Sequence, residues 1–558
     1  MLGIEAEGKG YGGQWALAGA AAIVGLGFLG SRLLGVLRTV AIADAFGTSP
    51  ELSAYWVAFR LPDLVFQVLA GATMASAFIP TFATYWGRRG PEEAWRLASS
   101  VLNAVLLATL LLALLALVLA PWLVPLMAPG LGQETGRQEE LQGLAVDLTR
   151  LMLISPVLFA VSGMVTGILN ARHRFLLPAL APMLYNLAII GGALLLAEPL
   201  GIRGLAVGVV AGAGLHLLVQ VPGLVRAGLL YRPTVHWRDR GLREVAGLML
   251  PRILGLAAAQ FNFIVALFFA SREGDEVIAA LNYAWLIATL PLALFGMAIA
   301  TAVFPTLAEQ AAGDEMGKLR STLAGSLRFA LFLTIPASAG LILLRWPVVT
   351  FLLEHGAFTQ TSTEITGNAL LFYALGLWAH GATEVLSRGF YALRDTRTPV
   401  ALAVLAMLLN WLFIVVLVGP LGYRGIALAM SLAASVEAGL LLLLLRRRLG
   451  GLREGPEAWA GGLSTEGPQA RAGWASEGRS LAFSISSTLL ATTLMALAVL
   501  LLIRDWGPLH LGSGEGTLWA LATALAGALL GGAVFLVAAL AVGSPEAAAL
   551  RRRLGWRR

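Results

Sequence analysis

Long apolar runs separated by short polar segments fill most of this 558-residue chain. About 20 consecutive apolar residues carry a helix across a bilayer, and counting runs of that length predicts about 14 transmembrane helices. Their approximate limits are 15–46, 52–86, 93–127, 138–171, 176–198, 202–230, 242–271, 275–311, 317–353, 361–393, 398–419, 423–446, 480–503 and 517–542. Several are longer than the hydrocarbon core is thick, so their ends must tilt or project into water. The predicted fold class is all-α, a polytopic membrane protein.

The polar segments between the runs carry charge asymmetrically. With the N-terminus in the cytoplasm, the inner loops hold Arg88-Arg89, Arg172 and Arg174, Arg232 through Arg243, Lys318 and Arg320, Arg394 and Arg397, and Arg446-Arg447-Arg448. The outer loops hold Asp44, Glu51, Glu273, Asp275 and Glu276 with scattered arginines. This is the positive-inside pattern, and it places both termini in the cytoplasm.

The pattern also repeats. Pro199-Leu200-Gly201-Ile202-Arg203-Gly204 returns as Pro420-Leu421-Gly422-Tyr423-Arg424-Gly425, 221 residues later. Ser31-Arg32-Leu33-Leu34-Gly35 returns as Pro251-Arg252-Ile253-Leu254-Gly255 at an offset of 220. Phe78-Ile79-Pro80-Thr81 returns as Val303-Phe304-Pro305-Thr306 at 225, and Asn186 pairs with Asn410 at 224. Six spans per repeat give both halves one orientation, related by an axis along the membrane normal, which suits alternating access. The expected organisation is an N-lobe at 1–235 and a C-lobe at 236–449. A flexible cytoplasmic linker at 450–478, a helix pair at 479–545 and a basic tail at 546–558 follow.

Composition narrows the function. The chain is 58% hydrophobic and 13% charged, against roughly 45–50% and 25% in soluble domains. The formal charge of +7 comes from arginines in membrane loops, so nucleic acid is not an expected partner. The absence of cysteine excludes a disulfide framework, a thiolate nucleophile and a Cys-based metal site. No nucleotide loop, metal constellation or nucleophile with its base is visible, so a transporter rather than an enzyme is expected. The first apolar run reads as a retained anchor, not a cleaved signal.

Charges at membrane depth mark the candidate chemistry. Arg32 and Arg38 lie in the first run, flanked by Ser31 and Thr39. Each guanidinium there costs at least about 2.5–3.5 kcal/mol, so it faces a cavity or a partner. Six residues place them roughly 120° apart on a helix. Two arginines aimed into a cavity suit an anionic substrate, above all a phosphate; snorkelling or structural pairing is the alternative. Arg60 precedes Leu61-Pro62 and either contacts substrate or takes the carbonyl that proline frees. Arg252, the repeat equivalent of Arg32, is an interfacial anchor or a cavity cation. Glu384 and Glu437 lie within spans, as proton relays or as partners in salt bridges or interfaces. Asp395, between Arg394 and Arg397, closes a cytoplasmic turn or serves as a gate.

Several stretches together resemble the MurJ (MviN) family, lipid II flippases of the multidrug/oligosaccharidyl-lipid/polysaccharide exporter superfamily. They are Ser31-Arg32-x-x-Gly35-x-x-Arg38, Val57-Ala58-Phe59-Arg60-Leu61-Pro62, Ser76-Ala77-Phe78-Ile79-Pro80, Ala300-Thr301-Ala302-Val303-Phe304-Pro305, His355-Gly356-Ala357-Phe358 and Gly389 through Pro399. The resemblance implies fourteen helices in two lobes, a cationic cavity, and a groove from the last two helices for a polyprenyl tail. It implies lipid II as substrate, membrane lipids and the cell-wall synthesis machinery as partners, and the bacterial inner membrane as location. No cofactor is implied; coupling would be to the membrane potential or a monovalent cation. Asn262 and Asn410 would help hold that cation, or form an interhelical hydrogen bond. Thr39 and Ser53 stand where relatives carry Asp, Leu286 where they carry Arg, and Gly71 at an acidic position. The alternatives are an exporter of another polyprenyl-linked glycan, an exporter of small cations, and a non-transporting scaffold.

Overall fold

In lipid a backbone must satisfy its own hydrogen bonds, which a helix does within one segment. The computed structural model describes residues 12–69, 72–450, 481–505 and 515–553. Among these, helix is the only regular structure. Eleven helical stretches are long and apolar enough to cross a membrane, or twelve if Gln360–Ala374 and Leu377–Ala392, bent by 43°, form one span. The chain is an all-helical, multi-pass membrane protein. The second and seventh predicted runs are also helical but fall outside that set. The predicted linker and the end of the basic tail lie outside the described residues.

Contacts group the chain into two units, Met1–Asp275 and Glu276–Arg558. The first contains α1 (Gly12–Phe46), α2 (Pro50–Leu69), α3 (Ala72–Arg89), α4 (Pro91–Met127), α5 (Gln138–Met152) and α6 (Ile154–Ala171). It continues with α7 (Leu176–Leu195), α8 (Ala197–Leu200), α9 (Ile202–Leu218), α10 (Val221–Arg226) and α11 (Arg240–Ala270). Helix α1 packs on α7, α7 on α9, and α2 on α5. At Gly192 a β-carbon would stand 2.7 Å from the Gly204 carbonyl oxygen, so only glycine permits the α7–α9 approach. Phe78, Phe82 and Trp95 anchor the core between α3, α4, α6 and α11.

Helix α11, the seventh predicted run, packs against α2, α3 and α4. Both its ends are tied into the first unit. Asp239 caps the start, accepting from the Gly241 and Leu242 amides, and Tyr85 donates its hydroxyl to the same carboxylate at 3.3 Å. Past the other end, Ser271 Oγ accepts from the Gly130 amide at 3.2 Å. The buried Asp275 carboxylate accepts from the Gly132 amide and from the amide and hydroxyl of Thr135. The contact grouping at 275 and the repeat-based boundary at 235 therefore differ by one helix.

The second unit contains α12 (Val277–Pro291), a π-helical turn (Leu292–Met297), α13 (Ala298–Ala312), α14 (Met316–Leu343), α15 (Arg345–Leu353) and α16 (Gln360–Ala374). Then come α17 (Leu377–Ala392), α18 (Arg397–Leu421), α19 (Tyr423–Arg448), α20 (Leu481–Asp505), α21 (Glu515–Ala541) and α22 (Pro545–Arg553). Helices α20 and α21 pack on each other and on α14 and α15, with the Phe332 and Phe535 rings 4.9 Å apart. A polar knot secures the end of the chain. Glu546 of α22 accepts from Ser484 at 2.7 Å and Ser544 at 2.8 Å, and pairs with Arg328 of α14 at 3.5 Å.

The internal repeat is written into the backbone. Gly201 (φ 57°, ψ −142°) and Gly422 (φ 60°, ψ −144°) cap α9 and α19 identically. His173 and Arg394, also 221 apart, share a left-handed φ of 56° and 58°. The amides following them close the same turn, Arg174 to the Leu169 carbonyl and Asp395 to that of Phe390. Between these fixed turns the interval is 28 residues in both units. Asn186 and Asn410, at an offset of 224, are therefore one helical turn out of register.

Candidate functional site

Helices α1 and α2 meet at a tight turn. Gly47 takes φ 56°, and the Ser49 hydroxyl accepts from the Leu52 amide to start α2. Arg38 lies eight residues before the end of α1 and Arg60 ten residues after the start of α2. At 1.5 Å per residue both rise about 12–15 Å from that turn, to comparable depth.

Arg38 is half-buried, and its Nε is buried without a hydrogen-bond partner among the described residues. Its charge acts on the buried Tyr55 of α2 and on Tyr185 of α7. Arg60 lies over the Phe263 ring of α11, 4.9 Å from its centroid. Pro62 has no amide to give the Ala58 carbonyl, and the Thr149 hydroxyl of α5, which donates to the Ala145 carbonyl at 2.7 Å, is shared with it at 3.3 Å. The carbonyl freed by the proline thus has a neutral donor.

Asp63 completes the arrangement. Arg60, Asp63 and Gln67 follow i, i+3, i+7 spacing and share a face of α2. Asp63 Oδ2 accepts from Gln67 Nε2 at 3.0 Å and from Gln260 Nε2 of α11 at 3.0 Å. The Asp63 charge interacts with Arg60 and reaches Tyr185, which also feels Arg38. Aromatic rings frame these groups: Phe66 packs at a tilt on Phe159 at 5.0 Å, and Phe159 meets Tyr185 edge to face at 5.2 Å. Two guanidinium groups and one carboxylate, with tyrosine hydroxyls close by, leave a net charge of +1 that suits an anion carrying several oxygens.

The other predicted residues are placed as follows. Arg32 is exposed and lies over Phe28, 5.1 Å from its centroid. The Ser31 carbonyl accepts from Asn186 Nδ2 at 3.3 Å, fastening α1 to α7. Thr39 donates to the Gly35 carbonyl at 3.1 Å. Ser53 is 0% exposed. The Arg252 side chain lies outside the described residues. Asn262 is half-buried on α11; Asn410 is buried on α18 near the equally buried Ile414. Leu286 is half-buried on α12. Arg388 pairs with Glu384 one turn earlier on α17 at 3.3 Å, and Glu437 of α19 feels the Glu384 charge. Asp395 accepts from the amides of Arg397 and Thr398 and from the Thr398 hydroxyl, and pairs with Arg448. The Thr398 amide and hydroxyl, with Arg448 beside them, hold its carboxyl below the usual carboxylate range.

Sequence reasoning missed Asp63, Gln67, Gln260 and Tyr185. Asp63 was detectable as a carboxylate in an otherwise apolar run; Tyr185 and Gln260 join only through tertiary packing.

Residues 42–513 match the sequence model of the lipid II flippase MurJ family. Lipid II flippase MurJ of Burkholderia cenocepacia is 30% identical over 424 residues, covering 75% of this chain and 81% of that one. A probable lipid II flippase MurJ of Rhizobium tropici is 29% identical over 540 residues, 96% of each chain. A solved lipid II flippase MurJ in an inward closed conformation superposes with a TM-score of 0.73 at 25% identity, over 96% of this chain and 99% of that one. A multidrug resistance MATE family transporter shares the fold at a TM-score of 0.60 and 19% identity, over 76% of this chain and 95% of that one. The chain belongs to the lipid II flippase MurJ family.

Proposed function

We propose that this protein moves lipid II, a polyprenyl-diphosphate-linked peptidoglycan precursor, from the inner to the outer leaflet of the bacterial cytoplasmic membrane. It does so by alternating access, with both termini in the cytoplasm. Family membership supports the substrate, and the Arg38–Arg60 pair at matched depth is the observation that carries the chemistry. A diphosphate presents several oxygens to planar guanidinium forks, which hold them in a fixed geometry that a point charge cannot match. The polyprenyl tail remains in lipid beside α20 and α21. The membrane potential supplies a driving force: two negative charges moving outward gain about 4–5 kcal/mol per 100 mV. Arg252, Asn262 and Asn410 would modulate binding or coupling.

Expression in a bacterium depleted of its own lipid II flippase tests this reading. Restored growth and wall synthesis are expected. Failure with normal amounts of protein in the membrane would refute it. Thr39, Ser53 and Leu286 favour a second reading, transport of a different polyprenyl-linked glycan, which predicts that same failure together with binding of a polyprenyl diphosphate.

A further inference from the structure

We propose that Asp63 is a fixed internal counter-anion that weakens the hold of Arg60 on the substrate diphosphate and so allows its release. This inference rests on the proposed diphosphate-binding role of Arg38 and Arg60.

The placement of the carboxylate carries the argument. Asp63 stands one turn from Arg60 on the same face of α2, and the two charges interact. Its hydrogen bonds come from neutral amides: Gln67 and Gln260 both donate to Oδ2, from α2 and α11 respectively. Held from two helices, the carboxylate cannot swing onto the guanidinium when substrate leaves, nor away when it arrives. It acts as a constant repulsion on any anion near Arg60. A carrier needs such a bias because two unopposed guanidinium groups in a low-dielectric site would hold a diphosphate too tightly to let it go. The same carboxylate reaches Tyr185, which feels Arg38, so its field extends toward both arginines.

Changing the charge in opposite directions tests the proposal. Asp63→Asn keeps an oxygen that can accept from both glutamines and removes the negative charge. Gln260→Glu places a second carboxylate at the same contact, and the titrations are run at alkaline pH, where the pair loses its shared proton and the extra negative charge is present. Full-length protein in nanodiscs would be titrated with farnesyl diphosphate, with farnesol as the uncharged control. Asp63→Asn should bind the diphosphate about tenfold more tightly, equal to about 1.4 kcal/mol, and transport more slowly. Gln260→Glu should bind it about tenfold more weakly, Asp63→Glu should bind as the parent does, and farnesol binding should not change. Should Asp63→Asn fail to fold, Gln260→Glu still decides the matter. Equal affinity in either charge variant, or weaker binding by Asp63→Asn, would overturn the proposal. Arg38→Ala separates the two levels of inference. If it binds the diphosphate normally, the site reading itself is wrong; if it is defective while both charge variants are neutral, only the role of Asp63 is lost.

Discussion

Removing the Arg38 side chain separates an anion-binding role from a structural one, because the two predict opposite effects on stability. Arg38 forms no ion pair among the described residues, and its Nε is buried without a hydrogen bond. A buried donor left unsatisfied costs roughly 1–3 kcal/mol, so truncation should relieve a penalty in the empty protein. Arg38→Met, which retains most of the aliphatic stem, should therefore be as stable as the parent or more stable by about 1 kcal/mol. Binding should change much more. A charge-assisted hydrogen bond contributes roughly 1.5–3 kcal/mol, and loss of a two-bonded fork should weaken diphosphate binding about a hundredfold. Arg38→Lys should recover only part of that, since ammonium lacks the planar fork. Thermal melting in nanodiscs, farnesyl diphosphate titration and rescue of a flippase-depleted strain supply the three measurements. A variant that transports normally, or one destabilised by more than about 2 kcal/mol, would show that Arg38 is a structural partner.

Glu546→Ala should destabilise the second unit by about 1.5–3 kcal/mol, because it removes the acceptor of the Ser484 and Ser544 hydroxyls and one ion-pair partner of the 8%-exposed Arg328. Adding Arg328→Met should restore much of the loss; strictly additive losses in chemical denaturation would argue against the pair. Asp395 has a lowered folded-state pKa, so its cap on α18 should be complete at neutral pH. That contribution should fade as pH falls from about 4 through the lowered value, read as loss of hydrogen-exchange protection at the Thr398 amide. Protection independent of pH there would remove Asp395 as the cap. Reporters fused after Arg89, Arg174, Arg243 and Arg397 should read cytoplasmic and those after Gly47 and Asp275 external. An external signal from the Arg243 fusion would overturn the proposed topology.

Apolar run length made the helices legible, since lipid leaves the backbone few choices. The broken ones carry proline signals that run length alone does not read: Pro291 before the π-helical turn after α12, and Pro156 just past the junction of α5 and α6 at Leu153. Arg38 and Arg60 stood out because charge at membrane depth is expensive. Asp63 escaped because the family resemblance puts the acidic position of the second helix at Gly71, eight residues beyond it. By the repeat, helix α11 opens the second lobe, whereas by its contacts it groups with the first unit. Its attachment to the first unit depends on Asp239 meeting Tyr85 and Ser271 meeting Gly130, contacts spanning 154 and 141 residues. Such encounters leave no periodic trace.

The paired turns also govern how this protein can tolerate change. His173 and Arg394 differ in size and chemistry yet hold one backbone conformation, and each is followed 28 residues later by a glycine of matching φ and ψ. Length is what the two halves share here, while the side chain at the left-handed turn differs between them. An inserted residue inside α7 or α18 would rotate everything beyond it by about 100° and turn a packed face toward lipid. Insertions and deletions should therefore accumulate outside these intervals, while substitutions accumulate within them. The two turns thus bound a segment of constant length in each half, like a brick cut to a common gauge.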